Sequence, residues 1–293
     1  MSKFCIIVPT YNEAENLPKL TAQIEKTLHT RSFNIIVVDD SSPDNTAEVA
    51  RKLNDLYGNI IVKTRERKHG LGSAIIDGLK TALDIEDVER IVTLDGDLSH
   101  NPDEIPKLLN VAETTDLVQG SRYVDKGLVV GWSPKRRLIS LIANSLCKLM
   151  LRTRIHDCTG NFRVYSRHCA EMIVNSTNSE GFEWVVEAIL VAVKCGFRVK
   201  EVPITFVDRK NGRTKLRIRQ VASWVLFTLN TLFAPKPLLF NARYQSTCAI
   251  QRSSTFTATV THPTTSTTMY TLSRASPTLS DHAESIQSVK SSK

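Results

Sequence analysis

Two aspartates one glycine apart, Asp95 and Asp97, end an apolar run in RIVTLDGDLSHNP, residues 90–102. In an extended segment, side chains at i and i+2 point to the same side, so the two carboxylates are expected to converge. Their repulsion calls for a proton, a base or a metal, and a hard divalent cation bound through oxygen is the simplest relief. An ordinary turn is the competing reading, because Asp, Gly and Asn before Pro are common turn residues. Three further stretches belong with this one. In PTYNE, residues 9–13, Tyr11 offers a face for stacking on a base and Glu13 an acceptor for a ribose or base edge. In DDSSPDNT, residues 39–46, carboxylates can accept from a base or sugar. GSRY, residues 120–123, is the fourth. Each alone reads equally well as a loop or a helix cap; four at successive strand ends describe one site.

The elements that must position these residues are legible as alternation. KFCIIVP, FNIIVVDD, NIIVKTRE, RIVTLDGD and TDLVQGSRY read as buried strands. Helical patterns separate them in NLPKLTAQIEKTL, SSPDNTAEVARKL, HGLGSAIIDGLKTAL and PDEIPKLLNVA. That order predicts an α/β fold, a largely parallel sheet sandwiched by helices. Ligands bind such sheets beyond the carboxyl ends of the strands, where VDD, LDGD and QGSRY fall. The dinucleotide fingerprint G-x-G-x-x-G is missing after the first strand. From Trp132 the pattern changes. Ser133 and Pro134 look like the N-cap and first residue of a helix, PKRRLISLIANSLCKLML. FRVY reads as a short strand, GFEWVVEAILVAVKCG as a helix and RVKEVPITFVDR as a strand.

A hydrophobic content of 41% over 293 residues is that of a globular chain, and a net charge of +8 points to an anionic partner. No run interleaves Lys, Arg and aromatics as a nucleic-acid surface does, which argues against nucleic acid. The six cysteines form no C-x-x-C pair, and several lie in apolar surroundings and read as buried thiols in a reducing compartment. The apolar run before Pro9 is too short for a signal peptide. VASWVLFTLNTLF, residues 221–233, falls short of the roughly 20 residues that span a bilayer. Its basic lead-in, Lys215, Arg217 and Arg219, suits an interfacial helix, a docking helix for a membrane subunit or a last core helix. Ser and Thr dominate after residue 240, which reads as a disordered tail. The expected organisation is a catalytic domain over 1–216, an interfacial or partner-docking helix over 217–240 and a tail over 241–293.

The ordered series IIVPTYNE, VVDDSSPDNT, HGLGSAIIDGLK, LDGDLSHNP, GSRY, GWSPKRRLIS, DCTGNFRVY and EVPITFVDR resembles the dolichyl-phosphate mannose synthases. These are inverting family 2 glycosyltransferases with the A-type, Rossmann-like fold. The resemblance implies GDP-mannose as donor, dolichyl phosphate as acceptor and Mg²⁺ or Mn²⁺ as cofactor. It implies that Pro9, Tyr11, Glu13 and Asp40 hold the nucleoside. Asp95, Gly96 and Asp97 would meet the metal and diphosphate, with Ser99 near the metal. A cytosolic-face, peripheral location at the endoplasmic reticulum is implied too, with small membrane-spanning subunits as partners. The product would serve glycosylation and GPI-anchor synthesis. A UDP-glucose-dependent relative and a silent nucleotide-binding subunit are the alternatives.

A phosphate acceptor is already ionised and needs cationic positioning rather than a base. Arg122, Arg136, Arg137 and Ser140 are the candidates; Arg136 and Ser140, four apart on a helix, share a face. Arg209 and Lys215 lie on a loop able to close over the donor diphosphate. In D-C-T-G-N-F-R, residues 157–163, Asn161 stands where Ser is common in the family. Arg163 is a candidate to serve a phosphate or to pair with Asp157, and the pairing is the reading preferred.

Overall fold

The structure is a computed structural model, and it describes residues 3–151 and 153–208. The helix expected over 217–240 and the tail over 241–293 lie outside the described residues, as does the boundary at 216.

The first five expected strands form, with shifted ends: β1 (Lys3–Thr10), β2 (Phe33–Asp39), β3 (Ile60–Thr64), β4 (Val88–Thr93) and β5 (Leu117–Ser121). The helices between them are α1 (Leu17–Leu28), α2 (Thr46–Tyr57), α3 (Leu71–Leu83) and α4 (Ile105–Ala112). Then come β6 (Leu128–Val130), α5 (Pro134–Leu151), β7 (Arg163–Ser166), α6 (Arg167–Ser176) and α7 (Trp184–Cys195). The described residues end with β8 (Val199–Pro203) and β9 (Thr205–Val207). β6 and α6 were not expected from sequence. The run RVKEVPITFVDR forms two strands rather than one, because after Pro203 the chain leaves the main sheet. β9 then pairs with β6 in a two-stranded sheet.

The main sheet has the order β3-β2-β1-β4-β7-β5-β8. Its pairings are parallel except at β7, which is antiparallel to both β4 and β5. This exception matters for the site. A strand running the other way starts where its neighbours end, so the segment before Arg163 is delivered to the carboxyl ends of β4 and β5.

Alternate residues of each central strand feed two cores, as the two-residue strand period requires. Cys5 and Ile7 of β1 pack with Ile36, Val38 and the buried sides of α3, α6 and α7. Phe4, Ile6 and Val8 face the opposite way, toward α1 and α4. Helix α3 lies close against the sheet because Gly78 has no side chain: a Cβ there would sit 2.4 Å from Cγ2 of Ile7. Cys5, Cys147, Cys158 and Cys169 are buried free thiols, and burial pushes the Cys5 thiol up to about 11.

Helix α5 begins as expected: the Arg136 N–H donates to Ser133 Oγ at 3.4 Å and the Arg137 N–H to Ser133 O at 3.0 Å. Its amphipathicity is inverted. Asn144 and Cys147 are buried, whereas Leu138, Ile139, Leu141, Ile142, Leu146 and Leu149 are 40–72% exposed. Among the described residues no helix is long and apolar enough to cross a membrane.

Candidate active site

The loop after β1 is held by the loop after β2. The N–H groups of Asn12, Glu13 and Ala14 donate to Ser42 Oγ at 2.9 Å, Thr46 Oγ1 at 3.0 Å and Asp44 Oδ2 at 3.0 Å. Asp39 is fully buried and accepts from Thr10 Oγ1 and from both the N–H and hydroxyl of Ser42. Most of the polar residues in DDSSPDNT therefore build the loop. Asp40 is the exception in kind, because its partner is a cation. Arg65, at the end of β3, donates through Nε to Asp40 Oδ1 at 2.6 Å and also through Nη2. The same guanidinium reaches Ser73 Oγ at 2.7 Å and Gly70 O at 3.2 Å, tying the β3–α3 loop to the site. Burial pushes the Asp40 carboxyl above its ordinary range, with Arg65 and Lys68 opposing. Tyr11, expected to stack on a base, carries the Lys68 ammonium 3.7 Å above its ring. Glu13 is buried and accepts from Asn16 Nδ2 at 2.7 Å.

Asp95 and Asp97 correct one expectation. Strand β4 stops at Thr93, so the pair lies on a turn beyond it and not on an extended segment. Leu98 adopts a left-handed φ of 64° there. The Ser99 N–H donates to Asp97 Oδ1 at 3.1 Å, and the Asp95 N–H donates to Nδ1 of His100 at 3.1 Å. Gly96 is buried against the end of β1: a Cβ there would lie 3.3 Å from Thr10 Cγ2 and 3.4 Å from Pro9 O. Ser99, expected near a metal, is buried and its hydroxyl has no partner.

Arg122, a candidate for the acceptor phosphate, is anchored by a partner distant in sequence. Its Nε and Nη2 donate to Asp157 Oδ2 and Oδ1, both at 2.7 Å, and Nη2 reaches Thr159 Oγ1 at 2.8 Å. Arg122 and Asp157 are both buried. Burial favours the neutral acid of Asp157, but the Arg122 charge and its donated hydrogen bonds outweigh this and hold the carboxyl below its usual range. Arg163, expected to pair with Asp157, instead donates to Gln119 Oε1 at 2.6 Å and Cys158 O at 3.1 Å.

The basic start of α5 is tied to the acidic turn through β9. Phe206 bridges His100, the Val207 N–H donates to Ser99 O at 3.0 Å, and Asp208 binds Arg136 Nη1 at 2.9 and 3.0 Å. Arg136 also lies 4.2 Å from the ring centroid of Trp132. Ser140 Oγ accepts from Tyr123 OH at 2.7 Å, and Arg137 is exposed. Arg209 and Lys215 lie outside the described residues.

Residues 5–173 match the family described as Glycosyl transferase family 2. The chain belongs to glycosyl transferase family 2. Its relatives in that family include the polyprenol monophosphomannose synthase of Mycolicibacterium smegmatis. That protein is 36% identical over 229 residues, which is 75% of this chain and 85% of the relative. The undecaprenyl-phosphate mannosyltransferase of Micrococcus luteus is 35% identical over 211 residues, 72% of this chain and 86% of the relative. Among solved structures, glucosyl-3-phosphoglycerate synthase from Mycobacterium tuberculosis, in complex with Mn²⁺, UDP and phosphoglyceric acid, superposes with a TM-score of 0.59. The two share 16% identity, with 80% of each chain covered. The fold is therefore the A-type glycosyltransferase fold expected from sequence.

Within this glycosyltransferase the residues present suit a hard cation. Two carboxylates on one turn supply anionic oxygens, and no third His, Cys, Asp or Glu joins them among the described residues. Such a pair leaves positions for phosphate oxygens and water. The buried, unpartnered Ser99 hydroxyl at the same turn is a further polar atom in want of a partner. Sequence reasoning missed His100 and Arg65, and named Asn161 without giving it a role. His100 is buried, stacked on Phe162 at 5.1 Å and edge-on to Phe206 at 5.5 Å. Burial lowers its pKa despite Asp95 and Asp97, so it stands as a neutral acceptor for the Asp95 N–H. Its position in LDGDLSH was the available signal, but a lone histidine does not reveal which atom it serves.

Proposed function

We propose that this chain transfers mannose from GDP-mannose to dolichyl phosphate with inversion at the anomeric carbon. The observation that carries the reading is the coupling, through β9, of the Asp95/Asp97 turn to the basic start of a helix with an apolar outer face. A donor site is thereby joined to a surface suited to a lipid phosphate. The names of the two curated relatives supply the sugar and the polyprenyl-phosphate class.

Pro9, Tyr11, Glu13 and Asp40 line the nucleoside end, and Asp95 and Asp97 face the diphosphate. A divalent cation, Mg²⁺ or Mn²⁺, when bound there stabilises the charge left on the departing diphosphate. The acceptor phosphate oxygen attacks the anomeric carbon as the bond to the diphosphate breaks. Because that phosphate is already anionic, no side chain needs to remove a proton. Arg136 and Arg137 hold the acceptor phosphate with Ser140, and Arg122 offers its remaining nitrogen, Nη1, from a position fixed by Asp157.

The exposed leucines and isoleucines of α5, flanked by exposed Lys135 and Arg137, suit the boundary of an anionic bilayer. We place the enzyme there, at the cytosolic face of the endoplasmic reticulum, held by small membrane-spanning subunits. The test is transfer of radiolabelled sugar to dolichyl phosphate, comparing GDP-mannose with UDP-glucose, each with and without Mn²⁺. Metal-dependent transfer from GDP-mannose alone is expected. Transfer from UDP-glucose alone would overturn the substrate, and no transfer in membranes carrying the partner subunits would overturn the activity.

A further inference from the structure

Asp95 is gripped at two points by neighbours far away in sequence. Asn161 donates from Nδ2 to Asp95 Oδ1 at 3.0 Å. It is 3% exposed, and its own backbone is fixed because Thr93 Oγ1 donates to its carbonyl at 2.6 Å. The next residue, Phe162, stacks on the imidazole of His100, which accepts the Asp95 N–H. One dipeptide therefore bears on both the carboxylate and the backbone of Asp95. It can do so because β7 runs antiparallel to β4, with Thr93 paired to Arg163, so the start of β7 lies at the end of β4.

The amide has one workable orientation. Turned over, Asn161 would set its oxygen against the Asp95 carboxylate, two acceptors in contact with no proton between them. In the orientation present, Asp95 Oδ1 is engaged and the carboxylate cannot rotate without breaking that bond. Oδ2 is left as the atom to meet a cation. A carboxylate restrained in this way would present its other oxygen to a cation, with its rotational freedom already lost, which favours binding.

We propose that Asn161 is a positioning residue of the cation site, holding Asp95 so that one carboxylate oxygen serves the metal and the donor diphosphate. This rests on the reading of Asp95 as a cation ligand given above.

The experiment measures Mn²⁺ binding directly, by the loss of the free-ion electron paramagnetic resonance signal on titration of the full chain with GDP present. The proteins are wild type, Asp95→Asn, Asn161→Leu and Asn161→Ser, each with a thermal unfolding curve. Asn161→Leu keeps the branched shape, at a larger volume, and removes the donor; Asn161→Ser shortens the donor beyond reach and covers the case in which the leucine variant does not fold. Wild type is expected to bind Mn²⁺ and Asp95→Asn to lose most of that affinity. The Asn161 variants should bind about 10–100-fold more weakly, the usual cost of removing a group that orients a metal ligand. In activity assays they should need correspondingly more Mn²⁺ for half-activation, while kcat at saturating metal falls less. Wild-type affinity in a folded Asn161 variant, with Asp95→Asn still defective, would overturn the proposal and leave the cation reading standing. Equal binding by wild type and Asp95→Asn, or none by either, would overturn both.

Discussion

Replacing Asp157 by Asn removes a charge and almost no volume at the most buried ion pair of the site. Asp157 is fully buried and accepts from the Arg122 N–H at 3.0 Å and from Arg122 Nε and Nη2 at 2.7 Å. An asparagine oxygen in the place of Oδ2 can still accept from the Arg122 N–H and Nε, but its NH₂ group then meets Nη2 as donor against donor. The guanidinium is then left buried without its counter-ion, a change that costs about 3–5 kcal/mol. In a domain of this size each kcal/mol lowers Tm by about 2–4 °C, so a fall of about 6–20 °C is expected by circular dichroism or calorimetry. A drop of less than about 2 °C would refute the account of Arg122 as an anchored residue. The pH dependence gives a second check. The folded-state pKa of Asp157 lies below its unfolded value. Its stabilisation is therefore fully present above the ordinary carboxylate pKa of about 3.9, and is lost as pH falls through the lower, folded value. The gap in stability between wild type and Asp157→Asn should hold from neutral pH to about pH 5 and narrow in stronger acid. A gap that stays constant down to acid unfolding would contradict an ionic origin.

Arg65→Leu strands Asp40 without its cation and should cost about 3–5 kcal/mol in denaturant unfolding. In the surviving fold Asp40 becomes easier to protonate, so donor KM should rise more than kcat falls, and increasingly so toward acid pH. Gly96→Ala places a methyl 3.3–3.4 Å from Thr10 Cγ2 and Pro9 O, which asks for shifts of a few tenths of an ångström. A stability change below about 1.5 kcal/mol with retained Mn²⁺ binding is expected, measured by urea unfolding and titration. Leu138→Glu with Ile142→Glu alters positions 59% and 51% exposed, so stability should move by about 0.5 kcal/mol or less for each change. Binding to anionic vesicles should fall, as sedimentation would show, and binding at the wild-type level would remove α5 from the membrane surface.

Most of the framework was legible before any coordinates. The first five strands and four helices follow from apolar runs and helical periodicity, which are local. So is the N-cap at Ser133, where a hydroxyl just ahead of Pro134 accepts the Arg136 N–H. The acidic pair and its place at the carboxyl end of a strand were likewise readable, because ligands of such sheets gather there; that the strand stops at Thr93 and the pair sits on a turn was not. What the sequence could not supply was pairing across distance. Arg122 meets Asp157 across 35 residues and Asp95 meets Asn161 across 66. Nothing in either stretch names its partner, so Asp157 was assigned to its near neighbour Arg163 instead. Those contacts depend on a single topological fact, the insertion of β7 antiparallel between β4 and β5. A four-residue strand has no local signal for its direction, since the same side chains alternate whichever way it runs. The apolar face of α5 was equally out of reach. Its periodicity marked a helix, but only packing decided that Asn144 and Cys147 would turn inward and the leucines outward. Residue types and spacing thus fixed which groups could do the chemistry; tertiary structure decided which of them hold one another and which remain for substrate.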